Sequence, residues 1–118
     1  MSASFTRIDT VFLPVTDLDR SIQWYTGTFG FPIRWTHTEG GYACLDIGET
    51  PLTLVRTDAV TPEAHMRFNF FVTDPDAAHR QLTERGAGPS AIHHDGNLQW
   101  FDFTDPDGHK LGVCHFSE

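Results

Sequence analysis

Side chains alternate with a period of two over Val11, Leu13 and Val15 against Thr10, Phe12 and Pro14. That is the period of a β-strand. The spacing then changes: Leu18, Ile22, Tyr25 and Phe29 fall on one face of a helix. Asp17 stands where an N-cap belongs, because a carboxylate there accepts from free helix N–H groups and opposes the dipole. Gly30 follows as a residue able to take the left-handed conformation that ends a helix. The same plan returns later. Phe68, Phe70 and Val72 alternate with Arg67, Asn69 and Phe71; Asp74 caps; Pro75, Ala78 and Leu82 share a face; Gly86 closes. Val15-Thr16-Asp17 and Val72-Thr73-Asp74 superpose at an offset of 57 residues, from 15 to 72. An internal repeat fixes architecture before any single residue does.

Each helix is followed by strand signals. In the first half, Phe31 to His37 is β-rich, Glu39-Gly40-Gly41 is a hairpin turn, and Tyr42 to Ile47 alternates. Gly48 to Pro51 is a turn and Leu52 to Arg56 a strand. Thr57 to Ala64 reads as a linker. In the second half, Ala91 to His94, Leu98 to Thr104 and Lys110 to Phe116 read as strands, with turns at Asp95-Gly96-Asn97 and Asp105-Pro106-Asp107-Gly108. The sum is an α+β chain of two tandem βαβββ modules. Module 1 runs over about 5–57 and module 2 over about 66–117, in a single domain spanning 1–118.

Composition narrows the picture. At 118 residues there is room for one domain with a real core and not for two. The formal charge of −8 argues against nucleic acid as a partner. Much of that acidity has local work: Asp17, Asp19, Asp74, Asp76, Asp105 and Asp107 sit at helix starts and turns. No signal peptide and no run of membrane-span length is visible. Cys44 and Cys114 form no disulfide framework or metal-type pair, so reduced thiols and a cytoplasmic location are expected.

Two such modules resemble the vicinal oxygen chelate superfamily, which includes glyoxalase I, extradiol dioxygenases, and fosfomycin- and bleomycin-resistance proteins. The residues that carry the resemblance are Val11 to Phe31, with Trp24-Tyr25 on the helix and Gly30-Phe31 after it, Phe68 to Asp76, and the run Phe101 to Leu111. What the resemblance implies is a pair of curved mixed sheets around a cavity, a small-molecule ligand, and completion by a homodimer partner. Metal enzymes of this superfamily take one ligand from the first strand of each module and one from the last. Carried onto this chain, those positions are Thr10, Arg67, Gly112 and about Leu54.

Those residues depart from the His, Gln and Glu of the enzymes. A divalent ion needs converging neutral nitrogens or anionic oxygens. A guanidinium about 4 Å from a doubly charged ion would cost roughly 8 kcal/mol at an effective dielectric of about 20. No metal and no cofactor are therefore expected at the usual position. Of the seven histidines, His93 and His94 are adjacent and point to opposite faces of a strand. His79, His109 and His115 read as surface or capping residues. A displaced site using His65 and His37 stays open.

By alternation, the residues expected to face the cavity are Thr10, Phe12, Leu52, Leu54, Arg56, Arg67, Asn69, Phe71, Lys110, Gly112 and Cys114, with Trp35, Trp100 and Asp102 at its rim or floor. That is a mostly apolar pocket with a few polar groups, as small-molecule sites are. Thr10 and Gly112 leave room where a metal and its ligands would stand. Arg67 holds an anion or stacks on a ring in one reading, and pairs with Asp102 or a partner acid in another. Cys114 is core in one reading and a nucleophile without a visible base in another. The function expected is binding of a small organic ligand without the family's usual metal site. The alternative is a metal-dependent lyase, isomerase or dioxygenase with displaced ligands.

Overall fold

The computed structural model describes residues 4–61 and 63–117. The linker expected over Thr57 to Ala64 includes Pro62, which lies outside the described residues. The chain divides into two compact units, 1–60 and 61–118. In unit 1 the order is β1 (Val11–Val15), α1 (Leu18–Phe29), β2 (Ile33–His37), β3 (Tyr42–Leu45) and β4 (Leu52–Arg56). In unit 2 it is β5 (Asn69–Phe71), α2 (Pro75–Glu84), β6 (His93–Asp95), β7 (Leu98–Thr104) and β8 (Lys110–His115). The two βαβββ modules are thus present.

Each unit is a four-stranded mixed sheet with its helix, ordered β1-β4-β3-β2 in unit 1 and β5-β8-β7-β6 in unit 2. The first strand of each lies parallel to the last, and the other pairs are antiparallel. A parallel pair needs a long crossover, and here it contains the helix and two strands. The caps behave as the sequence predicts. Asp17 and Asp74 each accept from the backbone N–H three residues on, both at 3.1 Å. Gly30 and Gly86 both sit at positive φ, 76° and 73°, where a side chain would be strained.

One face of each sheet is covered and carries the core. In unit 1 Leu13, Val15, Ala43, Leu45 and Leu54 are fully buried, together with Tyr25 of α1. In unit 2 Phe101, Phe103, Leu111 and Val113 are buried, with Leu82 of α2. The buried face of α1 is Leu18, Ser21, Tyr25 and Thr28. Ile22 and Phe29, expected on that face, are only half-buried. Ser21 Oγ is buried there without a hydrogen-bond partner.

Candidate functional site

The other face of each sheet is open, and the hollows lie there. In unit 1 a hollow of about 380 Å3 is lined by Thr10, Phe12, Trp35, Tyr42, Cys44, Pro51 and Thr53, together with the charged Asp9 and Arg34. Phe12 and Tyr42 also border a second hollow of about 390 Å3 with Pro14, Val55 and Thr57. In unit 2 a hollow of about 400 Å3 is lined by Met66, Asn69, Leu98, Trp100, Cys114 and Phe116. These sizes are within the range of small-molecule sites.

The register shows why these residues meet. Phe12 lies opposite Thr53, and Thr53 opposite Cys44, which lies opposite Trp35. Opposed residues in a sheet share a face, so the row Phe12-Thr53-Cys44-Trp35 crosses the open side. In unit 2 the matching row is Asn69-Gly112-Asp102, and the next row is Phe71-Cys114-Trp100-His93. His93 stacks on Trp100 with ring centroids 4.4 Å apart.

This register corrects the facing expected for β4. Leu54 lies opposite Leu13 and is fully buried on the covered face, as is Leu52 opposite Val11. Neither faces the hollow; Thr53 and Val55 do. Arg56 is exposed and pairs with Asp58 at 3.7 Å, away from both hollows of unit 1. Leu52, Thr53 and Leu54 are all buried whichever face they take, so the facing of β4 is set by its pairing with β1. The repeat mate of Gly112 is Thr53: each lies opposite its unit's first-strand residue, Phe12 or Asn69, and those two are one repeat apart.

The polar groups at the four metal-equivalent positions are already engaged. Thr10 Oγ1 donates to the Pro51 carbonyl at 2.9 Å and lies 2.7 Å from Thr53 Oγ1. Arg67 turns neither to Asp102 nor into the hollow of unit 2. Its Nε donates to His109 Nδ1 at 2.9 Å, and it pairs with Glu63 at 3.7 Å. The room expected over Gly112 is filled, because a Cβ there would collide with Asn69 Oδ1 and crowd Met66 Sδ. Two bonded hydroxyls, a guanidinium and a covered glycine do not suit a divalent ion. Among the described residues no three His, Cys, Asp or Glu side chains gather as metal ligands would.

The histidines do varied work. His109 is fully buried, contrary to the surface or capping role expected of it. Its backbone N–H donates to Asp105 Oδ1 at 2.9 Å, which ties it into the Asp105–Gly108 turn. His79 Nε2 bonds the Ser90 carbonyl oxygen at 2.9 Å while its ring edge meets Phe101. His37 Nδ1 accepts from Gly40 N–H at 2.8 Å in the hairpin turn. Burial pushes the Cys114 thiol above its ordinary pKa, which disfavours the thiolate a nucleophile needs. Lys110 and Phe71 are absent from the walls of the unit 2 hollow, and Asp102 lies opposite Gly112 without lining it. Thr53, Tyr42, Cys44, Met66, Leu98 and Phe116 were missed from sequence. Only the strand register reveals the first three.

Comparison with known proteins completes the assignment. The family model for the Glyoxalase/Bleomycin resistance protein/Dioxygenase superfamily matches residues 7–113. The chain belongs to that superfamily. It is 30% identical over 118 residues to the uncharacterized protein YraH of Bacillus subtilis (strain 168), covering 86% of this chain and 91% of that protein. Its fold is similar to that of TnmS3, an antibiotic binding protein from Streptomyces sp. CB03234. There the TM-score is 0.83 at 22% identity, over 98% of this chain and 100% of that one. It is also similar to a member of the superfamily from Sphaerobacter thermophilus DSM 20745. That match has a TM-score of 0.81 at 19% identity, over 94% of this chain and 98% of the other.

Proposed function

We propose that this protein binds a small, flat organic molecule on the open face of its sheets, without the superfamily's usual metal. The observation that carries this reading is the hollow of unit 1. Phe12, Trp35 and Tyr42 line it and stay partly exposed, and the hydroxyls of Thr10 and Thr53 bond each other where a metal enzyme would hold its ion. Exposed aromatic side chains gathered at a concave site favour a ligand with ring faces of its own. Arg67, the remaining cation among the four positions, is committed to His109 and Glu63. The likeness to an antibiotic binding protein goes with this reading at the level of fold.

Two further parts of the proposal concern setting. Exposed Phe12, Trp35 and Phe71 fit a chain that works as a homodimer. The free thiols Cys44 and Cys114 fit the reducing cytoplasm. No described helix is long and apolar enough to cross a membrane.

The test is direct. Protein purified without chelator is assayed for metals, and flat aromatic compounds of both charge signs are titrated while tryptophan fluorescence is followed. Saturable quenching with no stoichiometric ion is the expected result. One tightly held ion per chain would overturn the proposal in favour of the alternative, a metal-dependent lyase, isomerase or dioxygenase with displaced ligands.

A further inference from the structure

We infer that the hollow of unit 1 selects flat aromatic cations that present an N–H donor to its floor. This rests on the ligand-binding reading above and adds the chemistry of the ligand.

Two oxygens at hydrogen-bond distance need one proton between them. Thr10 Oγ1 lies 2.9 Å from the Pro51 carbonyl oxygen and 2.7 Å from Thr53 Oγ1. The carbonyl has no proton to give, so the single hydroxyl proton of Thr10 goes to Pro51. The proton in the second contact must then be that of Thr53, donated to Thr10. Both protons of the pair are spent; Thr53 is only 1% exposed, so what stays within reach of the hollow is a lone pair of half-buried Thr10. A ligand carbonyl or carboxylate set against it would face oxygen with oxygen; a ligand N–H completes the chain.

The charged residues that line the hollow point the same way. Arg34 is held by Asp46, its Nε donating at 2.8 Å and its Nη2 closing an ion pair on the same oxygen. Asp9 borders the hollow as an exposed carboxylate, 3.3 Å from Arg7. Phe12, Trp35 and Tyr42 are 61%, 47% and 38% exposed. Their ring faces carry the negative part of the aromatic quadrupole and attract a cation laid over them. The formal charge of −8 draws cations toward the whole molecule.

The test compares two probes of similar width, 9-aminoacridine as cation and donor and anthracene-9-carboxylate as anion and acceptor. Binding is read from the Trp35 indole N–H resonance, at low and at high salt. The cation is expected to bind about tenfold tighter, the size of one misplaced hydrogen bond. High salt should shrink that margin without removing it. If the anion binds as well or better, the donor assignment fails while the ligand-binding reading stands. A preference that disappears at high salt also overturns it, since general acidity then accounts for everything. If neither probe moves Trp35, the ligand-binding reading fails and takes this inference with it. Thr10→Val supplies a second arm: it removes the acceptor that faces a donor ligand and leaves the Thr53 proton unspent, so the preference should fall toward one. Thr10→Ser, which keeps the proton chain, should restore it. An undiminished preference in folded Thr10→Val would count against the proposal.

Discussion

The two units share one topology and differ in where they keep their bulk. On the covered face, unit 1 sets Ala43 and Leu45 on β3 under a helix carrying Tyr25, all three fully buried. At the matching places unit 2 has Phe101 and Phe103 on β7, with Leu82 on α2. The aromatic volume has moved from helix to strand while the face stayed apolar. The open faces differ in kind. Phe12 and Thr53 of unit 1 correspond to Asn69 and Gly112 of unit 2, and Cys44 to Asp102. A packed face tolerates exchange of volume between its two sides, because total volume and apolarity are what the core requires. An open face has no such requirement, and each unit has used it differently.

The comparison can be broken first at the bulky residues. Tyr25→Ala and Phe101→Ala should each destabilise by about 4 kcal/mol, measured by urea unfolding, because each empties a fully buried ring site. Phe12→Ala, on an open face, should cost less than about 1 kcal/mol yet weaken ligand quenching of Trp35. Equal losses for Phe12 and Phe101 would mean that the two faces are not distinct.

The next largest effect concerns the polar pairs. Arg67→Met strands the buried His109 Nδ1 and should cost about 2 kcal/mol. Thr10→Val, its repeat mate, should cost about 1 kcal/mol, since Val11 N–H still donates to Pro51 at 3.1 Å. Thermal unfolding of both variants checks the order.

A smaller effect separates Cys114 from an ordinary thiol. Its raised pKa means that less thiolate is present at any given pH. Iodoacetamide alkylation should therefore be slower than for a free cysteine at neutral pH, with the rate profile displaced to the alkaline side. Labelling at the rate of a free thiol, mapped to Cys114 by mass spectrometry, would contradict the burial. The smallest expected change is a gain. Ser21→Ala removes a buried hydroxyl without a partner and should be neutral or stabilising by up to about 1 kcal/mol in a denaturant titration.

Repeat, caps, helix positions and order of strands were all legible in the chain, because they are set by local rules. Asp17 and Asp74 cap whatever helix follows them, and Gly30 and Gly86 end it wherever it packs. The superfamily was legible for the same reason, its marks being runs such as Phe101 to Leu111. Facing and partnership were not legible. Leu52, Thr53 and Leu54 are all buried, so only the pairing of β4 with β1 decides that Thr53, and not Leu54, lies on the face that carries the hollow. Arg67 had several acceptors open to it in the sequence. Its choice of His109 depends on a turn 42 residues away closing beside it. Short-range sequence fixes backbone states because propensity and capping act over a few residues. Which side chains meet is settled by long-range register, which those few residues do not encode.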